Sequence, residues 1–260
     1  MNILLTGSSG YIGTHLQPML RTAGHNVQGC DLKEGQDYRD IRGQEFDCVI
    51  HLAASVSVTE SMQKPQEYMQ NNGLGVAAFL RENEVKRFIL ASTGGAMYGD
   101  KVLAKEEDAH PDFCTNPYAR SKLIAERWAQ TYQSVPGKDW VVLRLSNVHG
   151  GDTSVRGEAA VHSHFQHDDP ITVYGGNQTR DFVNINVVCN AFLQAIGRGH
   201  GVYNIGSGVE TSIFQLAQQY SERRGVPLII QPARSGEVQH ISLDCTRATH
   251  DGLLPTVNLL

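Results

Sequence analysis

No run of 18 consecutive apolar residues occurs in the 260-residue chain, so a membrane-crossing helix is not expected. Nor is there a C-x-x-C pair: Cys30, Cys48, Cys114, Cys189 and Cys245 are scattered and odd in number. That pattern reads as reduced thiols in the cytoplasm, not as a disulfide framework. A large excess of one charge is missing as well. The formal charge of −5 argues against a broad surface for nucleic acid or anionic membrane, but leaves room for one phosphorylated small molecule. No internal repeat or low-complexity segment stands out. The first apolar run, Ile3-Leu4-Leu5, is broken by Thr6-Gly7, too soon for a signal peptide. With 40% hydrophobic and 19% charged residues, the expectation is a soluble globular protein, one large domain or two unequal lobes.

What is there begins with a strand over 2–6, the turn Gly7-Ser8-Ser9-Gly10-Tyr11-Ile12-Gly13 and a helix over 14–23. Strand, glycine turn and helix in that order present backbone N–H groups and a positive helix end to a pyrophosphate. Gly7 and Gly10 permit a tight turn and close approach, and Gly13 permits close packing of helix on strand. The spacing is G-x-x-G-x-x-G, which a structural loop could also carry. A second strand over 25–30 ends in Asp31, 18 residues beyond Gly13. A carboxylate there can accept from adenosine ribose hydroxyls and repel a 2′-phosphate, which favours NAD over NADP. Lys33 is a nearby cation that softens this preference, and an exposed turn aspartate is the plainer alternative.

Further strands are expected over 46–51, 87–91 and 140–145, with helices over 65–80 and 117–133. The connection before 46 is too short for a full helix. A strand-helix unit over 182–197, strands over 171–174, 202–205 and 228–230, and a helix over 211–224 complete the reading, 228–230 being the last clear strand. Alternating strands and helices with short connections predict an α/β protein with a Rossmann-like, doubly wound parallel sheet. Ligands of such sheets bind beyond the carboxyl ends of the strands, where the glycine turn, Asp31, Ala53-Ala54 and Ser92-Thr93 fall.

Tyr118 and Lys122 are four apart, one turn on the same face of the expected helix. A neighbouring cation favours phenolate, each pKa unit being worth about 1.4 kcal/mol, and such a tyrosine could take a proton from an alcohol. The same spacing also fits an ordinary surface helix. His162, His164 and His167 with Asp168 and Asp169 have metal-like spacing, but a solvated helix end explains them as well and no metal is expected.

With these residues in view, the chain resembles the extended short-chain dehydrogenase/reductase family, and within it the NAD-dependent nucleotide-sugar epimerases acting on UDP-galactose and UDP-glucose. The resemblance runs through the glycine turn with Asp31, His51-Leu52-Ala53-Ala54, Glu60-Ser61-Met62-Gln63-Lys64-Pro65, Asn72 and Tyr98-Gly99. It continues through Tyr118 with Lys122, Arg144 with Asn147, Thr179-Arg180-Asp181-Phe182-Val183, Arg234 with Gly236-Glu237, and Asp244. It implies Tyr118 as acid/base and Lys122 as the residue that tunes it and holds the nicotinamide ribose. It implies NAD lined by Gly7, Gly10, Tyr11, Ile12, Gly13, Asp31, Asp37, Tyr38, Leu52, Ala53, Ala54 and Asn72. Asn147, Arg180 and Arg234 would meet the diphosphate of a UDP-hexose, Tyr174 the uracil and Glu237 the uridine ribose. Two arginines facing a diphosphate suit fork-shaped, charge-assisted bonds.

The resemblance further implies a dinucleotide domain over 1–150, rejoined by 182–206, and a smaller discontinuous substrate lobe over 151–181 and 207–260. It implies a homodimer through helices 65–80 and 117–133. Several positions depart from the family pattern. Gly94 stands where a catalytic Ser or Thr is usual, making Thr93 the candidate hydroxyl and Ser92 the second. The helix after Asn72 is a turn shorter, Asn184 and Asn186 replace His and Asp, and the family continues through a further helix where this sequence stops at Leu260. Ile241 stands where the size of a residue selects between hexoses and N-acetylhexosamines. The competing readings are a reductase or dehydrogenase with exchangeable cofactor, a 4,6-dehydratase or decarboxylase, and a non-catalytic NAD/UDP-binding homologue. The dehydratase needs an acid beside the hydroxyl, and Thr93 is followed by Gly94-Gly95.

Overall fold

The computed structural model describes residues 1–151, 160–233 and 238–255. The apolar run at the start forms β1 (Asn2–Thr6), buried on both faces. α1 (Tyr11–Thr22) starts three residues earlier than expected, because Gly10 in extended conformation already caps it. β2 (Asn26–Cys30) follows, and the short connection after it is two single 3-10 turns, each capped by an aspartate. Asp31 accepts from Lys33 N, and Asp37 from Arg39 N.

β3 (Glu45–His51) leads to α2 (Val58–Gln63), capped by Ser57, and α3 (Pro65–Tyr68). The helix expected over 65–80 is not uniform: a π turn over Met69–Leu74 separates α3 from α4 (Gly75–Glu82). β4 (Glu84–Thr93), β5 (Lys101–Ala104), α5 (Pro117–Gln130) and β6 (Asp139–Leu145) come next. Pro117 occupies the first turn of α5, where its missing N–H costs nothing, and Asn116 caps it by accepting from Ala119 N.

The second half runs β7 (Asn147–His149), α6 (Ala160–His167), β8 (Ile171–Tyr174), β9 (Thr179–Asn184) and α7 (Ile185–Ala195). Then come β10 (Gly201–Ile205), β11 (Glu210–Ser212), α8 (Ile213–Arg224), β12 (Leu228–Gln231), β13 (Ile241–Leu243) and α9 (Thr246–His250). The helix expected from 211 begins two residues later, since Thr211 and Ser212 pair with β9 and Ser212 then caps α8. β13 follows the strand read as the last one. It pairs in parallel with β5, and both are too short to show a period.

The main sheet has the order β10-β6-β4-β3-β1-β2, every pair parallel. The fold is Rossmann-like. Successive strand residues alternate between two cores, as a period of two requires. Leu5, Ile50, Ala91 and Leu143 pack under α1, α7 and α9, while Leu4, Val49, Leu90 and Val142 pack under α4 and α5. Since β2 and β3 flank β1 on opposite sides, winding reverses between β1 and β3, and their carboxyl ends frame the crevice where such sheets bind ligands.

β7, β9 and β11 form a small mixed sheet, and β8 with β12 and β5 with β13 form parallel pairs. A separate apolar cluster of Phe165, Ile171, Val173, Phe182, Ile213 and Ala217 holds α6, β8 and α8 together. Among the described residues, no helix is long and apolar enough to cross a membrane, and all five cysteines are free thiols.

Candidate active site

The crevice is closed so tightly at its base that side chains are excluded. Gly7 has φ +71°, and a Cβ there would come within 2.8 Å of Ala53 N and 2.9 Å of Leu52 C. A Cβ on Gly13 would meet Gly7 O at 2.2 Å, which lets α1 press onto the turn. Gly10 differs: its Cβ would meet only Gly7 O, at 3.1 Å, so its outer side is open. No side chain caps the first N–H groups of α1. Tyr11 turns its hydroxyl inward onto Gly150 O, so it and Ile12 offer the crevice their backbone. Asp31 accepts from Ser9 N at 3.0 Å, and Lys33 Nζ donates to Ser9 O at 2.9 Å, tying both to the glycine turn. An open glycine, a helix N-terminus and a carboxylate one strand over fit a dinucleotide.

Asp37 and Tyr38 are more occupied than the sequence suggests. Asp37 grips Arg39, whose guanidinium holds the carboxyl below its usual range. Tyr38 is buried, donates to Asn71 O at 2.5 Å and packs edge-on against His51. The opposite wall is continuous. Ala53 N donates to Thr6 Oγ1, and Asn72 bridges to the next wall through Ser55 N, Ser55 O and Ser121 Oγ at 2.8, 2.8 and 3.0 Å. Ser121 lies between Tyr118 and Lys122 on α5, so Asn72 connects the crevice to that pair.

Tyr118 is half-buried, edge-on to Tyr68 at 6.4 Å between ring centres, with the Thr93 hydroxyl as its hydrogen-bond neighbour. Burial pushes the phenol up to about 12, against the Thr93 bond that favours phenolate. Loss of water is the largest cause of this shift, and Lys122 is not among its causes. Lys122 is 4% exposed, donates to Ala91 O at 3.0 Å, and is pushed down to about 8 by burial, with the Glu126 carboxylate opposing. Gly94 carries no hydroxyl, and a Cβ there would lie 2.6 Å from Leu243 Cδ1 and 3.3 Å from Leu145 O. Ser92 reaches a different turn of α5, donating to Glu126 Oε1 at 2.5 Å. Thr93 alone of the two faces Tyr118.

On the substrate side, Asn147 Nδ2 donates to Asp181 O, Arg180 Nη1 donates to Thr179 O, and Tyr174 is exposed at the end of β8. Arg234 and Glu237 lie outside the described residues. Ile241 does not face open space but is buried with Tyr98, Ala104 and Leu243, so its size acts on packing. Asn184 caps α7 by accepting from Asn186 N at 2.9 Å. Among the described residues no cluster of three or more metal-ligating side chains occurs; His162 contacts Tyr220 and His164 contacts Asp168.

The sequence model of the NAD dependent epimerase/dehydratase family matches residues 3–206. The chain belongs to this family. A UDP-glucose 4-epimerase of Halalkalibacterium halodurans is 31% identical, over 91% of this chain and 85% of that protein. The UDP-glucose 4-epimerase of Thermotoga maritima, solved with UDP-glucose, is 30% identical with a TM-score of 0.83, covering 96% of this chain and 92% of that one. That of Thermus thermophilus, solved with NAD, is 27% identical with a TM-score of 0.84, covering 99% and 94%.

Within this epimerase/dehydratase fold, the organising role of three residues escaped the sequence reading, although Asp181 lies in a segment that carries the family resemblance. Asp181 is 1% exposed and accepts from Ser207 N, Ser207 Oγ, Gly208 N and Leu243 N, joining β9 to β13 and the turn after β10. Asn204 accepts from Tyr98 at 2.5 Å and donates to Ala104 O and Asp244 O. Glu126 pairs with Arg144 and Ser92. Only Glu126 had a local signal, four residues beyond Lys122 on the same helical face.

Proposed function

We propose that the protein interconverts UDP-galactose and UDP-glucose, inverting the sugar at C4 through a 4-keto intermediate. The observation that carries this reading is the convergence of Tyr118, Thr93 and Lys122 at the carboxyl end of β4, joined through Asn72 to the dinucleotide crevice. NAD, when bound, supplies reversible hydride transfer at C4. Tyr118 Oη takes the proton of the 4-hydroxyl and returns it after the sugar has presented its other face. Thr93 holds the phenol oxygen and the reacting hydroxyl in line. The Lys122 ammonium offsets charge on the phenolate.

Asn147, Arg180 and Arg234 hold the diphosphate, Tyr174 the uracil and Glu237 the ribose. Residues 1–150 with 182–206 serve NAD, and 151–181 with 207–260 serve the sugar nucleotide. A homodimer forms through the helical segment 65–80 and the helix over 117–133, where Leu74 and Trp128 stand 47% and 41% exposed. The five free thiols suit the cytoplasm.

No carboxylate follows Thr93, where the next two residues are Gly94 and Gly95, which disfavours elimination chemistry. Incubation of the purified protein with UDP-galactose, without added cofactor or reductant, is expected to give UDP-glucose. Absence of interconversion, with turnover only on added reduced cofactor, would instead make it a reductase.

A further inference from the structure

Three consecutive residues at the carboxyl end of β4 each engage a different turn of α5. Thr93 faces Tyr118, Ala91 O accepts from Lys122 Nζ at 3.0 Å, and Ser92 Oγ donates to Glu126 Oε1 at 2.5 Å. Positions 118, 122 and 126 share one helical face. Glu126 is 5% exposed and receives a two-pronged bond from Arg144, Nε to Oε1 at 3.0 Å and Nη2 to Oε2 at 2.7 Å. Arg144 is held in turn by Tyr98 OH and Glu106 O. A buried ion pair gains little over apolar packing, so its stability alone does not explain it.

We propose that Glu126 is a positioning residue for the Tyr118–Lys122 pair: it fixes the register of α5 on β4 and supplies the carboxylate charge that accompanies the buried Lys122 ammonium. The proposal rests on the acid/base roles given above. Lys122, one turn beyond Tyr118, is faced by His51 from β3 and by Glu126 from its own helix. Glu126 is faced by Arg144 from β6 and by Tyr98 and Cys114 from the segment between β4 and α5. His51, held neutral by burial, adds no charge at neutral pH. The Glu126 carboxylate is the group that opposes the effect of burial on Lys122.

The test compares Lys122 Nζ titration, read by 15N-lysine NMR of NAD-loaded protein and assigned with Lys122→Met, with the pH profile of kcat. Glu126→Gln should move the Lys122 titration and the alkaline limb of kcat to lower pH together. At the wild-type optimum kcat should fall by roughly tenfold or more, with KM for UDP-galactose unchanged. Glu126→Asp keeps the charge but shortens the reach to Ser92, so it should restore the titration while kcat stays reduced. Should Glu126→Gln fold poorly around an unpaired Arg144, Glu126→Gln/Arg144→Met removes both charges and should keep the lowered titration. An unmoved Lys122 titration in either folded variant, or full recovery of kcat in the double variant, would overturn the proposal. Because the NMR readout needs no turnover, a wild-type protein inactive on every UDP-hexose would count against the function and leave this test standing.

Discussion

The phenol of Tyr118 and the ammonium of Lys122 are both shifted toward their neutral forms by burial. A site built this way pays in charge solvation for control of a proton, and each hydroxyl around it has a separate task. Tyr118→Phe is expected to lower kcat by about 100-fold or more while NAD retention and UDP affinity persist, measured by turnover and calorimetry. Thr93→Ala should also depress kcat. Ser92→Ala should cost about 1 kcal/mol of stability by urea unfolding and depress kcat less than Thr93→Ala, since its hydroxyl serves Glu126. A larger kinetic effect at Ser92 than at Thr93 would reverse the assignment. The spacing of Tyr118 and Lys122 was legible because a helix converts four residues into one turn. The choice of Thr93 over Ser92 was not, because both hydroxyls reach α5 and only the packing of that helix on β4 says which turn each one meets.

At the scale of elements, the π turn at Met69–Leu74 is the least expected feature. It lets Asn71 O accept from Tyr38 while Asn72, one residue on, reaches Ser55 and Ser121. π turns recur at functional sites because one extra residue re-aims a side chain. Gly75 makes it possible: a Cβ there would lie 2.3 Å from the Tyr38 hydroxyl. Gly75→Ala is therefore expected to destabilise by about 1–3 kcal/mol in urea unfolding. Part of that should return in Gly75→Ala/Tyr38→Phe, which removes the hydroxyl; strictly additive effects would show that the clash is relieved elsewhere. Nothing in the sequence 65–82 marks the π turn, since its apolar pattern reads as ordinary helix. β5 and β13 were equally hidden, because their pairing joins positions about 140 residues apart.

For the whole molecule, the buried histidine beneath the crevice ties fold stability to pH. His51 hydrogen-bonds Thr6 Oγ1 and is held down to about 3, first by burial and then by Lys122. A histidine held below its unfolded value contributes stability at neutral pH. That contribution shrinks as the unfolded chain takes up its proton from about pH 6.5 downward, and is lost by the time pH passes the folded value. Thermal unfolding should thus show a decline in Tm from about pH 6.5 toward acid that is shallower in His51→Asn; identical slopes would exclude His51 as its source. The sequence by itself determined the alternating α/β architecture, the glycine turn with Asp31, and the Tyr118–Lys122 pair, because all three are local: periodicity and short spacing act within a few residues. Tertiary structure decided which hydroxyl meets the phenol, that Glu126 stands behind Lys122, and that Asp181 joins β9 to β13. Those outcomes depend on burial and on contacts between distant strands, where the cost of an unpaired polar group selects the partner.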